Sequence, residues 1–415
     1  MRYLKTETKT NNFDQLCFDV LYIFLICSSI INRNEFVAGY AFVIVPVVLF
    51  TAYVLLYYKH MISMRIYHYI VIVLCIFYII STFFSDTQTS YIESAILASA
   101  LSAFLYIGWT GKEYNKSEVN RMLNLYVLVA IGFSLIILYN VYTRNLDESG
   151  RSSIVVFGTV KDANYLAAFL CPAVPYCLAK ALYKKEKKVI NISFWGIIVI
   201  AIYMTGSRGG FMTALIASFL LAIDYMLKGD ASINKMLFLA LLFVAILGVY
   251  IYLQNTTLFV RMMNIDSYTD DIRLKLWSEA MKAFKKNPVL GGGRNAGAYY
   301  SFMRYKKVQH STFIEIISDE GIIGILAFIV LLFQIIKVEK NNFMFIGSMM
   351  ICCLLPLAFL NAYQTLSLWI NLSLLTVLSA FLKENDIELL LRNNHKETNI
   401  ILTGEKNGKY CRYLK

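Results

Sequence analysis

The chain has 415 residues, of which 58% are hydrophobic and 16% are charged, and its formal net charge is +12. Soluble chains usually have about 45–50% apolar and about 25% charged residues. The composition therefore excludes a soluble globular enzyme, a disulfide-stabilised secreted domain and a nucleic-acid-binding module. It predicts an all-α, polytopic integral membrane protein.

Twelve apolar segments, taken in chain order, are predicted transmembrane helices. A spanning helix needs about 20 mostly apolar residues to cross about 30 Å of hydrocarbon. Nine of the segments precede a long loop and three follow it. They are residues 13–31, 36–58, 66–84, 91–109, 122–142, 163–182, 189–205, 209–227, 236–254, 321–337, 342–360 and 362–382.

The spans predict four parts of the chain. Residues 1–254 form a bundle of nine spans, and residues 255–320 form one long loop on the outer face. Residues 321–382 form the last three spans, and residues 383–415 are a cytoplasmic tail. A loop this long in a compact bundle is more often functional than idle.

The basic residues predict how the bundle is oriented. Of the 39 Lys and Arg residues, 24 fall in the loops and termini of one side and five in the short loops of the other. The remaining ten lie in the long loop, where the positive-inside rule loses force. Both termini are therefore predicted to be cytoplasmic, and most of the net charge reflects topology rather than a nucleic-acid partner.

His310 is the only histidine predicted on the outer face. The segment from His310 to Glu315 leads into the tenth span, so we expect both residues at the mouth of the bundle, near the lipid headgroups. His310 is either a solvated loop residue or a base or hydrogen-bond donor at the membrane surface, and its position favours the second interpretation. Glu315 is a candidate substrate-binding residue.

Arg208 stands in the segment TGSRGG at 205–210, which joins the seventh and eighth spans with almost no loop. An arginine at the membrane boundary is costly unless it extends to the surface or has a partner. It is therefore either a snorkelling side chain or a guanidinium that binds a phosphate through paired hydrogen bonds.

Asp162 and Asn164 open the sixth span from the outer side. Asp162 is either an ordinary helix N-cap or part of a binding site, because Arg208 and His310 are predicted on the same side. Both Asp162 and Asn164 are candidate substrate-binding residues.

The long loop contains a predicted amphipathic helix that starts at Asp270–Asp271 and ends at Asn287–Pro288. Arg273 lies in its first turn, where the helix dipole disfavours a cation, and this placement suggests a bound anion. Residues 291–293 are three glycines, which predict a flexible hinge, and Arg294 after them is a candidate substrate-binding residue. One face of the helix is apolar, through Ile272, Leu276, Ala280 and Phe284.

The predicted outer face thus concentrates positive groups, a pattern that suits a substrate with an anionic headgroup and a lipid tail. No outer cluster of carboxylates and histidines predicts a metal site, and no cofactor is expected. A twelve-span transporter or flippase is the alternative from another class. Transporters favour internal repeats with matching broken spans, and no convincing repeat relates the two halves. The positive groups are Arg208, Arg273, Arg294 and His310.

Several motifs, in their order and spacing, resemble the O-antigen ligase and polymerase superfamily. Two of them are DANYLA at 162–167 and TGSRGG at 205–210. Ser311 stands where the family usually has Asn, and Ala163 where Pro is common. The remaining motif runs through Arg273, Trp277, Pro288, Gly291, Gly293 and His310 to GIIG at 321–324.

The resemblance implies a metal-independent inverting glycosyltransferase, without a cofactor, in the bacterial cytoplasmic (inner) membrane. Such enzymes take a glycan from an undecaprenyl pyrophosphate carrier on the outer face. By the motif, Arg208 and Arg273 would bind the pyrophosphate, and His310 would deprotonate or orient the acceptor hydroxyl. A polymerase of O-antigen or capsule passes the glycan to the next carrier-linked repeat, and this is the expected activity. The alternative is a ligase, which passes the glycan to a lipid acceptor such as that of lipopolysaccharide.

Overall fold

The computed structural model describes residues 12–30, 37–58, 62–85, 89–146, 150–156, 159–183, 187–228, 267–338, 340–363 and 365–383, with 385, 387 and 390. Within these ranges the chain folds into helices, apart from one short antiparallel hairpin. The hairpin pairs β1 (Val155–Val156) with β2 (Thr159–Val160). The predicted all-α class is confirmed for this part of the chain.

Within the described residues, nine helices form the amino-terminal part of the bundle. Pro172 lies between the sixth and the seventh, since a proline lacks a backbone N–H and its ring crowds the preceding turn. The helices are α1 (Asn12–Ser28), α2 (Val37–Tyr57), α3 (Ile66–Phe83), α4 (Ile92–Thr110), α5 (Lys116–Tyr142), α6 (Ala163–Leu170), α7 (Ala173–Tyr183), α8 (Lys188–Met204) and α9 (Arg208–Leu227).

Five further helices follow within the described residues. They are α10 (Ser267–Lys286), α11 (Ala296–Tyr305), α12 (Thr312–Ile336), α13 (Phe343–Leu354) and α14 (Leu366–Leu382). Three of them pack against the amino-terminal helices, α12 on α3, α13 on α9 and α14 on α4. The helix α12 also packs against α10, which lies on α11. Short 3-10 helices cover Thr89–Tyr91, Lys340–Asn342 and Pro356–Phe359.

Six helical segments of the described chain are long and apolar enough to cross a membrane. Four shorter apolar helices accompany them, so the chain has the character of a multi-pass membrane protein. The predicted ninth span, 236–254, lies outside the described residues, and the count of twelve stays a prediction. The six segments are Ile66–Phe83, Thr89–Thr110, Lys116–Tyr142, Ala163–Tyr183, Arg208–Leu227 and Thr312–Ile336.

The structure differs from the sequence prediction where the tenth span begins. The prediction ended the long loop at residue 320, whereas α12 already begins at Thr312. Asp319 and Glu320 had suggested a loop by their charge, but both are buried inside this helix. Gly321 interrupts the helix with φ 67° and ψ −155°, so the polar residues belong to a kinked, packed helix rather than to a solvated loop.

Candidate functional site

The helix α10 confirms the amphipathic helix predicted in the long loop. It runs from Ser267 to Lys286, so it begins slightly before the predicted Asp270. Leu276 and Ala280 of its apolar face are buried. The indole Nε1 of Trp277 donates a 2.8 Å hydrogen bond to the backbone oxygen of Gln309. This bond ties α10 to the segment that carries His310.

The glycine loop after α10 is packed against α12, which corrects the prediction of a flexible hinge. The backbone N–H of Gly292 donates to the oxygen of Ser318 at 2.8 Å, and that of Gly293 to the oxygen of Asp319 at 3.0 Å. Gly291 has φ 74°, and a Cβ there would lie 2.5 Å from the backbone of Asp319. Glycine is needed at this position because no L side chain fits so close an approach.

Asp319 holds the start of α11 in place. One carboxylate oxygen accepts a 2.8 Å hydrogen bond from the backbone N–H of Asn295, and the other a 3.2 Å bond from that of Gly297. The hydroxyl of Ser81, on α3, donates to the backbone oxygen of Asp319 at 2.6 Å. Through these hydrogen bonds the glycine loop, α11 and α12 are joined to one another and to α3 of the bundle.

Arg294 is not among the residues that line the main cavity of the candidate site, which five of the other candidate residues share. It is fully buried, and its backbone N–H donates to Oγ1 of Thr82 at 2.9 Å. Its guanidinium Nη1 donates to the hydroxyl of Tyr78 at 3.4 Å. The sequence predicted a substrate contact for Arg294, but the packed loop turns its side chain inward against α3.

A cavity of about 640 Å³ brings together five of the seven residues predicted for the site. It opens between the starts of α6 and α12, the helices α10 and α11, and the segment that precedes α14. The five residues are Asp162, Asn164, Arg273, His310 and Glu315. Further lining residues are Tyr91, Tyr165, Asn295, Tyr299, Phe302, Phe359, Asn361 and Thr365.

His310 lines this cavity and lies two residues before Thr312, the first residue of α12. Its side chain is exposed, and its backbone has φ 47°, in the left-handed region that non-glycine residues seldom adopt. The next residue, Ser311, caps the helix, since its Oγ accepts a 3.4 Å hydrogen bond from the N–H of Ile314. The N–H of Ser311 donates to Oδ1 of Asn361 at 3.1 Å.

Partial burial, together with the nearby cations, favours the neutral form of His310. Partial loss of solvent lowers the pKa of the imidazole, and the nearby carboxylate of Asp162 raises it in part. The positive charges of Arg273 and Lys307 lower the pKa further. Because the net shift is downward, His310 is mainly unprotonated near neutral pH, the state that can accept a proton.

Phe359 lies between Arg273 and the start of α9. The guanidinium carbon of Arg273 lies 5.8 Å from the centroid of the Phe359 ring, within cation–π range. A Cβ at Gly209 would lie 3.0 Å from the same ring, so the start of α9 packs on its edge. Arg208 is the first residue of α9. It adjoins the cavity wall but is not among the lining residues.

Asp162 is the N-cap of α6, which was one of the two roles that the sequence suggested for it. Its Oδ1 accepts a 2.7 Å hydrogen bond from the N–H of Asn164. The side-chain oxygen of Asn164 accepts a 3.2 Å bond from Nη2 of Arg151, whose Nε donates to the backbone oxygen of Thr205 at 2.9 Å. Arg151 thus links α6 to the turn before Arg208, a role that no local sequence pattern predicted.

Glu315 is buried in the wall of the cavity. Its Oε2 accepts a 3.1 Å hydrogen bond from the backbone N–H of Tyr363. The hydroxyl of Tyr165 donates to the backbone oxygen of Asn361 at 2.6 Å. Sequence reasoning missed Tyr165 and Asn361. A polar amide between two apolar segments was the one available signal for Asn361.

The chemistry of the lining groups suits an anionic, oxygen-rich ligand. Arginine donates paired hydrogen bonds to phosphate oxygens, and the amide and hydroxyl groups match the hydroxyls of a sugar. Within the described ranges, no group of three or more His, Cys, Asp or Glu residues is placed to hold a metal ion.

Comparison with known proteins adds one match to this geometry. No curated protein matches the chain. Residues 192–329, about a third of the chain, match the family model described as O-antigen ligase. The matched segment includes Arg208, Arg273 and His310. This segment is therefore similar to proteins of the O-antigen ligase type, and the match confirms the resemblance to the O-antigen ligase/polymerase superfamily.

Proposed function

We propose that this protein is a polysaccharide polymerase of the cell envelope. It transfers a glycan from an undecaprenyl pyrophosphate carrier to the next carrier-linked repeat of an O-antigen or capsule. The family match supports transfer of a lipid-linked glycan, and the apolar helices support a membrane setting. The proposal includes twelve spans, cytoplasmic termini and a catalytic cavity at the outer face of the cytoplasmic membrane.

One observation carries the proposal, namely the cavity in which His310 lies beside Arg273. The site combines a neutral base with a cation, next to helices apolar enough to contact lipid. A carrier lipid has the same two parts, because its pyrophosphate is anionic and its polyprenyl chain is apolar. Glu315, Asp162 and Asn164 supply acceptors and dipoles for sugar hydroxyls in the same cavity.

The proposed reaction is a single displacement that inverts the anomeric centre. His310 takes the proton from the acceptor hydroxyl as its oxygen attacks the anomeric carbon. The bond from this carbon to the pyrophosphate oxygen breaks on the opposite side, and the electron pair leaves with the carrier pyrophosphate. Arg273 and Arg208 stabilise the charge that develops on the leaving oxygens. No step is assigned to a metal ion or a cofactor.

The test is to replace His310 by Gln, which keeps a similar size but cannot act as a base. We expect surface polysaccharide to shift from long chains to single repeats, with unchanged protein abundance in the membrane. Lys285→Gln, an exposed change on α10, is the control for altered surface charge. Long chains made by a well-expressed His310→Gln variant would exclude the proposed role.

A ligase is the second candidate, and the description of the matched family as O-antigen ligase favours it. The two activities leave different products when the site is inactive. An inactive polymerase leaves single repeats attached to their final acceptor, whereas an inactive ligase leaves finished polymer on the carrier. The same His310→Gln strain therefore distinguishes them, if carrier-linked and surface-linked glycan are analysed separately.

A further inference from the structure

A second polar cavity lies at the opposite end of the helices from the candidate catalytic site. The helix α5 begins near Asn120 and, at its far end, the amide of Asn140 donates to the backbone of Ser153, beside the catalytic region. The helix α8 likewise runs from Lys188, at this second cavity, to Met204, next to Thr205 of the turn before Arg208. The second cavity, of about 370 Å³, lies where α5 and α8 start and α7 ends.

The side chains that line this cavity are rich in hydrogen-bond donors. The ammonium of Lys180 donates to Oδ1 of Asn124 at 2.8 Å, and the hydroxyl of Tyr176 donates to the side-chain oxygen of Asn120. Because both amide oxygens already accept hydrogen bonds, the amide nitrogens are the groups left to meet a ligand. Lys187 and Asn191 also line it, and none of the lining residues in the described part of the chain is a carboxylate.

The start of α8 adds backbone donors to the same cavity. Lys187 is its N-cap, with φ 55° and no side-chain hydrogen bond to the first turn. The first N–H groups of a helix lack partners within it, and with the helix dipole they attract anions. Asn191, one turn further on, is buried with 5% exposure and lines the cavity. A positive helix end, two lysines and three amides therefore converge on one space.

The cavity also has an apolar wall, which reaches the surface of the bundle at Leu128. Val127, Leu128 and Phe194 form it, and Leu128 is 58% exposed on the surface of a helix long enough to span the membrane. An inorganic ion needs no such wall, whereas the acyl chain of a lipid does. The volume lies in the lower part of the range for small-ligand sites, about 300–1,000 Å³.

We propose that this cavity binds the phosphate of an anionic phospholipid in the leaflet opposite the catalytic site. The phosphate oxygens lie at Lys180, Lys187 and the start of α8, and the amides of Asn120, Asn124 and Asn191 donate to the remaining oxygens. The acyl chains leave across Leu128 into the bilayer. The inference is independent of the proposed glycosyl transfer, because it concerns a different end of the bundle.

The experiment uses the full-length protein in a mild detergent and counts retained lipids by native mass spectrometry. Phosphatidylglycerol, phosphatidylcholine and inorganic phosphate are the three probes. We expect phosphatidylglycerol to be retained at one site, with about tenfold or greater preference over phosphatidylcholine. Inorganic phosphate at the same concentration should neither bind measurably nor displace the lipid.

Two variants test where the lipid binds. Asn191→Asp keeps the size of the side chain but places a carboxylate in the cavity, and Lys180→Gln with Lys187→Gln removes both ammonium groups. Both should weaken phosphatidylglycerol retention by about tenfold or more, while the control Lys337→Gln, which changes a basic residue elsewhere, retains it. Equal retention of the two lipids, tight binding of inorganic phosphate alone, or normal retention by both cavity variants would each overturn the proposal.

Discussion

The side-chain oxygen of Asn361 accepts a 3.1 Å hydrogen bond from the backbone N–H of Ser311, the residue directly after His310. Asn361 precedes α14 and Ser311 precedes α12, so the bond joins two distant parts of the chain. His310 has an unfavourable positive φ of 47°. Such a conformation persists only where contacts with the surrounding structure stabilise it. The hydrogen bond from Ser311 to Asn361 is one of these contacts. We therefore regard Asn361 as a positioning residue for His310.

Replacing Asn361 by Leu should lower kcat by about threefold to tenfold, since one hydrogen bond of ~0.5–1.5 kcal/mol is lost at a site that orients the base. Asn361→Asp keeps an acceptor oxygen and should restore turnover, while its charge moves the acid limb of the pH profile to higher pH. Both variants are checked by measuring turnover as a function of pH in membranes that contain equal amounts of each protein. An unchanged kcat in Asn361→Leu would contradict the positioning role.

Arg273 should be more sensitive to substitution than the other cations of α10. Arg273→Gln removes the guanidinium beside Phe359 and should lower the rate of glycan transfer by about 10²-fold, the usual loss for one donor to a developing anion. Arg273→Lys should recover only part of the rate, because an ammonium lacks the planar paired donors. The matched control is Lys282→Gln on the same helix. Equal rates in the Arg273→Gln and control proteins would argue against pyrophosphate binding by Arg273.

The pH profile should report the charges around His310. Its pKa lies below the ordinary value, so the neutral base is present at neutral pH and activity falls only on acidification. Lys307 contributes to this lowering. Lys307→Gln should raise the pKa of His310 and move the acid limb of the activity profile to higher pH. The exposed Arg304→Gln is the control, and a shift of the same size in both variants would assign the effect to overall charge.

Gly321 should be essential for the packing of α12 against the glycine loop. A Cβ at this position would lie 2.5 Å from the backbone oxygen of Val289, and φ is 67°. Gly321→Ala should therefore destabilise the protein by more than about 1 kcal/mol, seen as a lower unfolding temperature in detergent. Gly196→Ala is the control, because among the described residues no atom beyond the adjoining backbone of α8 lies within 4 Å of a Cβ added there. That change should be neutral or slightly stabilising.

The residue pattern along the chain was sufficient to predict several of the helices. Apolar runs of membrane length predicted the segments around α3, α4, α5 and α9, because burial in lipid depends on composition averaged over about 20 residues. The amphipathic helix α10 followed from its apolar periodicity. Charge was misleading at Asp319, because a carboxylate that accepts hydrogen bonds from backbone N–H groups, here those of Asn295 and Gly297, can be buried.

The candidate site could be predicted only in part from such local sequence patterns. Asp162 and Arg273 were found as polar residues at predicted helix starts, and His310 as the one histidine of the predicted outer face. These local signals were enough to predict all three on one side of the bundle. Which of them share a cavity depended on contacts between distant segments. The inward turn of Arg294 follows from hydrogen bonds to α3, and the bond between Asn361 and Ser311 joins residues 50 positions apart. Local sequence sets helix length and lipid exposure, whereas the direction of each side chain is decided by the neighbours that folding brings against it.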